Sequence, residues 1–225
     1  MTRIKLEHIY IICILSILSL TTAKADTTYQ FHVTNQEGVP LSDVVIEPIF
    51  QSTSTTQNSI HKLASIDQID KQFKPRQIVI QKGQLVEFPN SDNIRHHVYS
   101  FSKAHVFELK LYANKPKSPI LFEHAGVVVL GCNIHDSMIG YIYVADSNDA
   151  VQSDASGQAT LSVESNVSQI RVWHSNQAVS AEIQNIIDIN SLTNANDKGL
   201  EITIETIKPA ARNSFEDVFD VDLSN

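Results

Sequence analysis

Cysteine is scarce in this sequence: its 225 residues include two, Cys13 and Cys132. Cys13 lies in a mostly apolar stretch (9–20) that follows basic residues and precedes the small-residue motif Ala23-Lys24-Ala25. This pattern is typical of a secretory signal peptide over residues 1–25, and the stretch is short for a membrane span. The alternative is an uncleaved N-terminal anchor. We therefore expect export to the periplasm and a mature chain with no membrane span. That chain holds one cysteine, which excludes an internal disulfide framework.

Basic residues are also in short supply. The sequence has 17 Lys and Arg against 25 Asp and Glu, for a formal net charge of −8. An acidic surface repels the phosphate backbone, so nucleic acid is excluded as a partner class. A basic protein partner fits this charge.

Helical periodicity is missing from nearly the whole sequence. Short runs rich in Val and Ile alternate with Gly, Pro, Asn, Asp or Ser, which is the composition of β-strands and turns. Residues 181–189 also fit a short helix. We therefore predict an all-β chain in sandwich or barrel form. The predicted strands are 29–33, 43–50, 77–81, 84–88, 97–101, 126–131, 140–144, 158–163, 169–174, 181–189 and 200–207.

The sequence GCNIHDSMIGYIYV places Cys132, His135 and Met138 within seven positions. Soft sulfur ligands with imidazole select copper, and a trigonal His2Cys set with a weak axial Met is a blue-copper arrangement. The second histidine would come from His96 or His97 in FPNSDNIRHHVYSFS. Zinc suits this set poorly, and a single mature cysteine excludes a dinuclear centre with two bridging thiolates. The alternative is that the cysteine and the methionine merely fill the core.

Together, the segments around these residues resemble cupredoxins of the amicyanin, pseudoazurin and plastocyanin type. They resemble most closely the exported plastocyanin-like proteins often labelled methylamine-utilisation proteins, over residues of about 64 to 145. The resemblance implies a Greek-key β-sandwich with one copper ion that cycles between Cu(I) and Cu(II). In the family the first ligand is followed by Asn and an apolar residue, and HHV laid on HNV puts that ligand at His96. The implied ligands are His96, Cys132, His135 and Met138.

Two residues beside the implied ligands depart from the family pattern. His97 stands where the family has Asn, and Asn133 follows the cysteine where Ser or Thr is usual. The family Asn helps to tie the cysteine loop down by a hydrogen bond. We therefore expect His97 and Asn133 to share that bond across the two loops, where such contacts tune a metal site.

The flanking segments resemble a different β-sandwich, the carboxypeptidase-regulatory-like and transthyretin-like (immunoglobulin-like) kind. Its opening pattern lies before the copper segment, and its later pattern, SDASGQATLSV, follows it. We therefore expect residues 60–145 to form a cupredoxin domain inserted in, or packed beside, a second sandwich made of 26–59 and 146–208. An acidic tail (209–225) follows. The alternative is one enlarged cupredoxin with edge extensions. The core of the second sandwich is predicted to include Val45, Leu161, Val172 and Trp173.

The resemblance implies a one-electron carrier between redox proteins. The partner would be a redox protein such as a c-type cytochrome or a dehydrogenase, bound transiently, and His135 would be the exposed ligand through which the electron passes. Copper oxidases and nitrite reductases need a further His-rich centre, and no second His-x-His cluster is visible, so we do not expect an enzyme. The alternative function is copper storage or delivery, or a protein-interaction module with a cupredoxin fold.

Overall fold

The computed structural model describes residues 26–50, 62–116, 118–194 and 199–207. These residues form β-strands and connecting loops, with a single turn of 3₁₀ helix at Ile189–Ser191, which confirms the all-β fold class. The expected signal peptide, the polar stretch at 51–59 and the acidic tail lie outside the described residues. In the part of the chain that is described, no helix has both the length and the apolar character needed to cross a bilayer.

Seventeen strands follow one another along the described residues. They are β1 (Thr27–Asn35), β2 (Val45–Ile49), β3 (Ala64–Ser65), β4 (Asp67–Ile69), β5 (Gln72–Lys74), β6 (Gln77–Gln81), β7 (Gln84–Glu87), β8 (His96–Ser100), β9 (Phe107–Tyr112), β10 (Ile120–Phe122), β11 (Gly126–Gly131), β12 (Ile139–Ala145), β13 (Val151–Gln152), β14 (Gln158–Val163), β15 (Gln169–Trp173), β16 (Asn185–Asp188) and β17 (Leu200–Ile204).

Strands from the two ends of the chain pair with each other. One sheet has the order β14-β1-β17 and a second has the order β13-β2-β15-β16. In the second sheet β2 runs antiparallel to both β13 and β15, although about a hundred residues separate it from them. Apolar side chains of both sheets, among them Phe31, Ile46 and Leu161, form one buried cluster. These two sheets are therefore one sandwich built from both ends of the chain.

The strands between them pair among themselves. A five-stranded sheet has the order β6-β12-β11-β8-β9, and it is accompanied by the sheet β10-β7-β3 and the hairpin β4-β5. Their facing side chains form a second buried cluster that contains Phe88, Val98, Leu130, Cys132 and Met138. The strand order agrees with the nested order of the sequence motifs. That residues 60–145 are a separate domain, bounded at these positions, remains our proposal.

A third buried cluster joins the two sets of strands. It contains Val45, Val127, Tyr141, Tyr143, Ala145 and Trp173. The prediction that Val45, Leu161, Val172 and Trp173 are buried is confirmed, but they do not share one core. Adjacent residues of a strand point to opposite faces. Val172 therefore points into the core of its own sandwich, whereas Trp173 and its cross-strand partner Val45 point at β11 and β12.

Several strands were missed by the sequence analysis. Three of the predicted strands have the predicted bounds, namely β6, β11 and β14, whereas β3, β4, β5, β9, β10 and β13 were not predicted. Most of the missed strands have two or three residues, too few for a pattern to stand out. The longest, β9, lies at the edge of its sheet and leaves Leu111 exposed. Of residues 181–189, which were predicted as a strand, only Asn185–Asp188 form β16, and Ile189 begins the 3₁₀ turn.

Candidate metal centre

Two neighbouring strands bring three sequence-predicted ligands to one end of the five-stranded sheet. His96 begins β8, and Cys132 directly follows β11. The two strands are antiparallel neighbours, with Gly131 opposite Tyr99. The start of β8 and the end of β11 therefore lie side by side, and the loop after β11 carries His135 over the same end. This pairing explains how residues 36 positions apart can meet.

Gly131, just before the cysteine, is required by close packing. A Cβ atom at this position would lie 2.6 Å from Cζ of Tyr99, a distance that real Cβ contacts do not show. The tyrosine ring therefore lies directly over the backbone of Gly131. This contact holds β8 and β11 together one residue away from the thiol.

The donor atoms of His96, Cys132 and His135 point at one another. The Nδ1 atoms of both histidines lie 3.9 Å from Sγ of Cys132, and all three donor atoms lie within 4.8 Å of one another on buried side chains. Metal–nitrogen and metal–sulfur bonds of about 2.0 and 2.3 Å that meet at about 120° separate nitrogen from sulfur by about 3.7 Å. The observed spacing therefore fits three donors around one ion. A thiolate with two imidazoles is the soft donor set that suits copper.

Asp92 holds the other side of the His96 ring. Its Oδ2 atom lies 2.6 Å from Nε2 of His96, so Nε2 carries the proton that is donated to the carboxylate. In the neutral ring Nδ1 then carries a lone pair, and it faces the thiol. Burial alone would raise the pKa of Asp92, but hydrogen bonds from the backbone of Lys71, from His96 and from the backbone of Asp70 hold this pKa below its ordinary value.

Met138 is buried in the same apolar cluster as the cysteine. Its backbone N–H donates to the carbonyl of His135 at 3.0 Å, which closes the turn of the ligand loop and returns the chain to β12. The loop is therefore compact and places the thioether inside the core. Its role as the weak axial ligand remains a prediction.

His97 does not make the expected hydrogen bond with Asn133. Nε2 of His97 lies 2.9 Å from Oε1 of Glu108 on the neighbouring strand β9, and its buried Nδ1 has no hydrogen-bond partner among the described residues. The ladder between β8 and β9 shifts register between His96 and Val98. This irregularity lies at His97, whose ring is hydrogen-bonded to Glu108 of β9. The prediction of a hydrogen bond between His97 and Asn133 was therefore wrong. Asn133 itself is exposed.

His135 is less exposed than expected. It is 9% exposed, whereas His96 is completely buried, so it is the more accessible of the two imidazoles but is largely covered. Its neighbour Ile134 is 49% exposed. The surface above the site is therefore formed mainly by the loop residues beside His135, with an apolar side chain among them.

The sequence analysis missed the residues that support the ligands. Asp92 lies four positions before His96, and the side chain of Asn90 donates to the carbonyls of Ile94 and Tyr112 and accepts from the N–H of Asp92. Asn and Asp are common in turns, so their presence before β8 indicated a turn and nothing more specific. An acidic residue close to a candidate histidine ligand was the signal that could have identified Asp92.

Comparison with solved structures returns copper proteins of the cupredoxin type. The purple cupredoxin from Nitrosopumilus maritimus is 21% identical, over 36% of this chain and 99% of its own, with a TM-score of 0.33. A reduced Cu(I) form of an amicyanin variant is 19% identical, over 39% and 86% of the two chains, with a TM-score of 0.32.

The copper-containing nitrite reductase NirK from Thermus scotoductus SA-01 is 21% identical over 52% of this chain, with a TM-score of 0.36, but the match spans only 28% of that enzyme. No family model and no curated protein matches the chain. Similarities this distant and partial do not identify a metal or a partner. The function must therefore be inferred from the residues of this chain.

Proposed function

We propose that this protein is a type 1 (blue) copper protein that carries one electron at a time between redox proteins. The observation that supports this proposal is the buried thiol of Cys132 with an imidazole Nδ1 atom on each side, both at 3.9 Å. His96, Cys132 and His135 would hold the copper ion, with Met138 as a fourth, weaker ligand. When bound, copper supplies a centre that switches between Cu(I) and Cu(II).

The protein's own residues serve this role by staying in place. His96 and Cys132 stand at the ends of paired strands and are buried, so water is excluded from most of the site. In the neutral imidazole, the hydrogen bond to Asp92 places the proton of His96 on Nε2, so the lone pair of Nδ1 faces the thiol. A rigid set of ligands suits both oxidation states of copper, because little has to move when an electron arrives or leaves.

We infer that the partner docks over the loop that contains His135. The exposed side chain of Ile134 offers an apolar contact beside the more accessible imidazole. The chain carries a net charge of −8, which favours a basic partner through faster encounter rather than tight binding. A small redox protein such as a c-type cytochrome or a dehydrogenase, met transiently in the periplasm, fits this description.

Copper binding tests this proposal directly. The Cu(II)-loaded protein should show an intense thiolate-to-copper charge-transfer band, and Cys132→Ala should abolish it. The matched control is Val128→Ala, which also truncates a buried side chain of the same core but removes no donor atom and should keep the band. A band that survives in Cys132→Ala would contradict the assignment.

Kinetics separate electron transfer from copper handling. For a carrier, small redox proteins should reduce the Cu(II) form rapidly, and a chelator should remove the ion slowly. If chelators or acceptor proteins remove copper faster than redox proteins exchange electrons with it, storage or delivery of copper is the better account.

A further inference from the structure

Asp92 stands at a junction between the ligand His96 and a hairpin turn. Oδ2 lies 2.6 Å from Nε2 of His96 and accepts the N–H of Lys71 at 2.9 Å, while Oδ1 accepts the N–H of Asp70 at 2.7 Å. The carboxylate is mostly buried, with 13% of the side chain exposed. Both of its oxygens therefore have fixed donors, and one of these donors is the imidazole that faces the thiol.

The turn supplies its N–H groups because of an unusual backbone. Ile69 pairs with Gln72 across β4 and β5, so Asp70 and Lys71 form a two-residue connection. Both have positive φ angles, 55° and 56°, as both central residues of a type I′ hairpin turn do. Lysine rarely adopts this conformation. The hydrogen bonds to Asp92 stabilise this conformation of the turn, and the same bonds fix the position of the Asp92 carboxylate.

We propose that Asp92 is a positioning residue that lowers the reduction potential of the copper site by acting through His96. This inference rests on the proposed function. A carboxylate on the far side of a ligating imidazole fixes its tautomer and orientation and raises its basicity. A more basic Nδ1 stabilises the ion of higher charge, Cu(II), more than Cu(I). Asp92 therefore stabilises the oxidised Cu(II) form relative to the Cu(I) form and makes the reduced protein a better electron donor.

The variant Asp92→Asn removes the charge but keeps the shape of the side chain. Loss of such a partner typically costs on the order of 10–100-fold in metal affinity. We expect Cu(II) affinity to fall about tenfold relative to Cu(I) affinity, which raises the one-electron potential by about 59 mV. The charge-transfer band should remain, because all four proposed ligands remain. Asp92→Glu, which keeps the charge, should restore much of the wild-type potential.

Asp70→Asn is the matched control. It also removes one carboxylate charge, from the turn that Asp92 contacts, but the side chain of Asp70 is 78% exposed and pairs with Lys74 instead of a proposed ligand. Asparagine also tolerates a positive φ angle. Its potential should stay close to that of the wild type. Equal potentials for Asp92→Asn and Asp70→Asn would overturn the inference, whereas a wild-type protein without a charge-transfer band would overturn the proposed function itself.

A measurement on the wild-type protein keeps the inference testable if the variants fail to fold. In the diamagnetic Cu(I) form, with ¹⁵N-labelled histidine, the His96 ring should carry its proton on Nε2. That proton should exchange slowly with water because it is hydrogen-bonded to Asp92 and buried. A His96 ring protonated on Nδ1, or an Nε2 proton in fast exchange, would refute the role assigned to Asp92.

Discussion

Glu47 offers the sharpest test of how the two sandwiches are joined. It lies on β2 and is 1% exposed, and its carboxylate accepts three hydrogen bonds and forms one ion pair. Oε1 accepts the N–H groups of Asp146 and Ser147 at 2.6 and 2.7 Å, and Oε2 accepts the hydroxyl of Tyr143 at 2.8 Å and lies 3.4 Å from Arg171. Glu47 thus connects the end of β12 to β2, the strand that precedes β3–β12 in the chain.

Replacement of Glu47 by Ala leaves these donors without an acceptor. An unsatisfied buried donor costs about 1–3 kcal/mol. Arg171 is 26% exposed, so water can solvate its charge, and loss of this ion pair costs less than the loss of a fully buried one. Water can reach the backbone at Asp146, which is exposed, but not the hydroxyl of Tyr143, which is fully buried. Burial is the main cause that raises the pKa of Tyr143, and it persists in the variant, so the hydroxyl stays a protonated donor without an acceptor. Two buried donors, the hydroxyl of Tyr143 and the N–H of Ser147, lose their acceptor, so we expect Glu47→Ala to lower the free energy of unfolding by about 2–6 kcal/mol.

Urea unfolding followed by circular dichroism and by tryptophan fluorescence measures this loss. The one tryptophan of the sequence is Trp173, and its ring packs against Tyr141 and Tyr143 in the shared cluster, so its emission reports on the junction. Glu201→Ala, an exposed acid on β17, is the control and should change stability by less than about 0.5 kcal/mol. A loss of less than about 1 kcal/mol for Glu47→Ala would refute the reasoning.

Two further predictions concern the histidines. His96→Ala should abolish the charge-transfer band in visible spectra, whereas His97→Asn should keep it. His97→Asn should lower the free energy of unfolding by about 0–1 kcal/mol, because its partner Glu108 is 54% exposed and exposed pairs contribute little. If His97→Asn abolishes the band and His96→Ala keeps it, the ligand is His97 instead of His96. Burial, the main cause, and the nearby Arg76 lower the pKa of His174 below 6.5. The unfolded chain therefore takes up more protons as the pH falls below about 6.5, so the free energy of unfolding should decrease below that pH, by at most about 1.4 kcal/mol per pH unit. Urea titrations of His174→Gln should show a flatter dependence over the same range, and an unchanged slope would contradict it.

Local composition was enough to predict many of the strands. The bounds of β6, β11 and β14 match those predicted. β6 and β11 are short runs of Val, Ile and Leu between polar residues or Gly, and β14 alternates buried apolar residues with polar ones, so each pattern favours extended chain. Cys132, His135 and Met138 could likewise be grouped from the sequence, since seven positions of one loop cannot separate widely. The choice of His96 over His97 came from resemblance, and the structure turns Nδ1 of His96 toward the thiol.

Contacts between distant segments were decided by the tertiary structure alone. The pairing of β8 with β9 gave His97 the partner Glu108 in place of Asn133, and the packing of β4-β5 against the loop before β8 brought the N–H groups of Asp70 and Lys71 to Asp92. Which face of a strand meets which sheet also depends on the assembled fold, so Val45 and Trp173 were correctly predicted to be buried but assigned to the wrong core. A residue's type limits which bonds it can make, but the neighbour that satisfies them is chosen only when strands from distant parts of the chain come together.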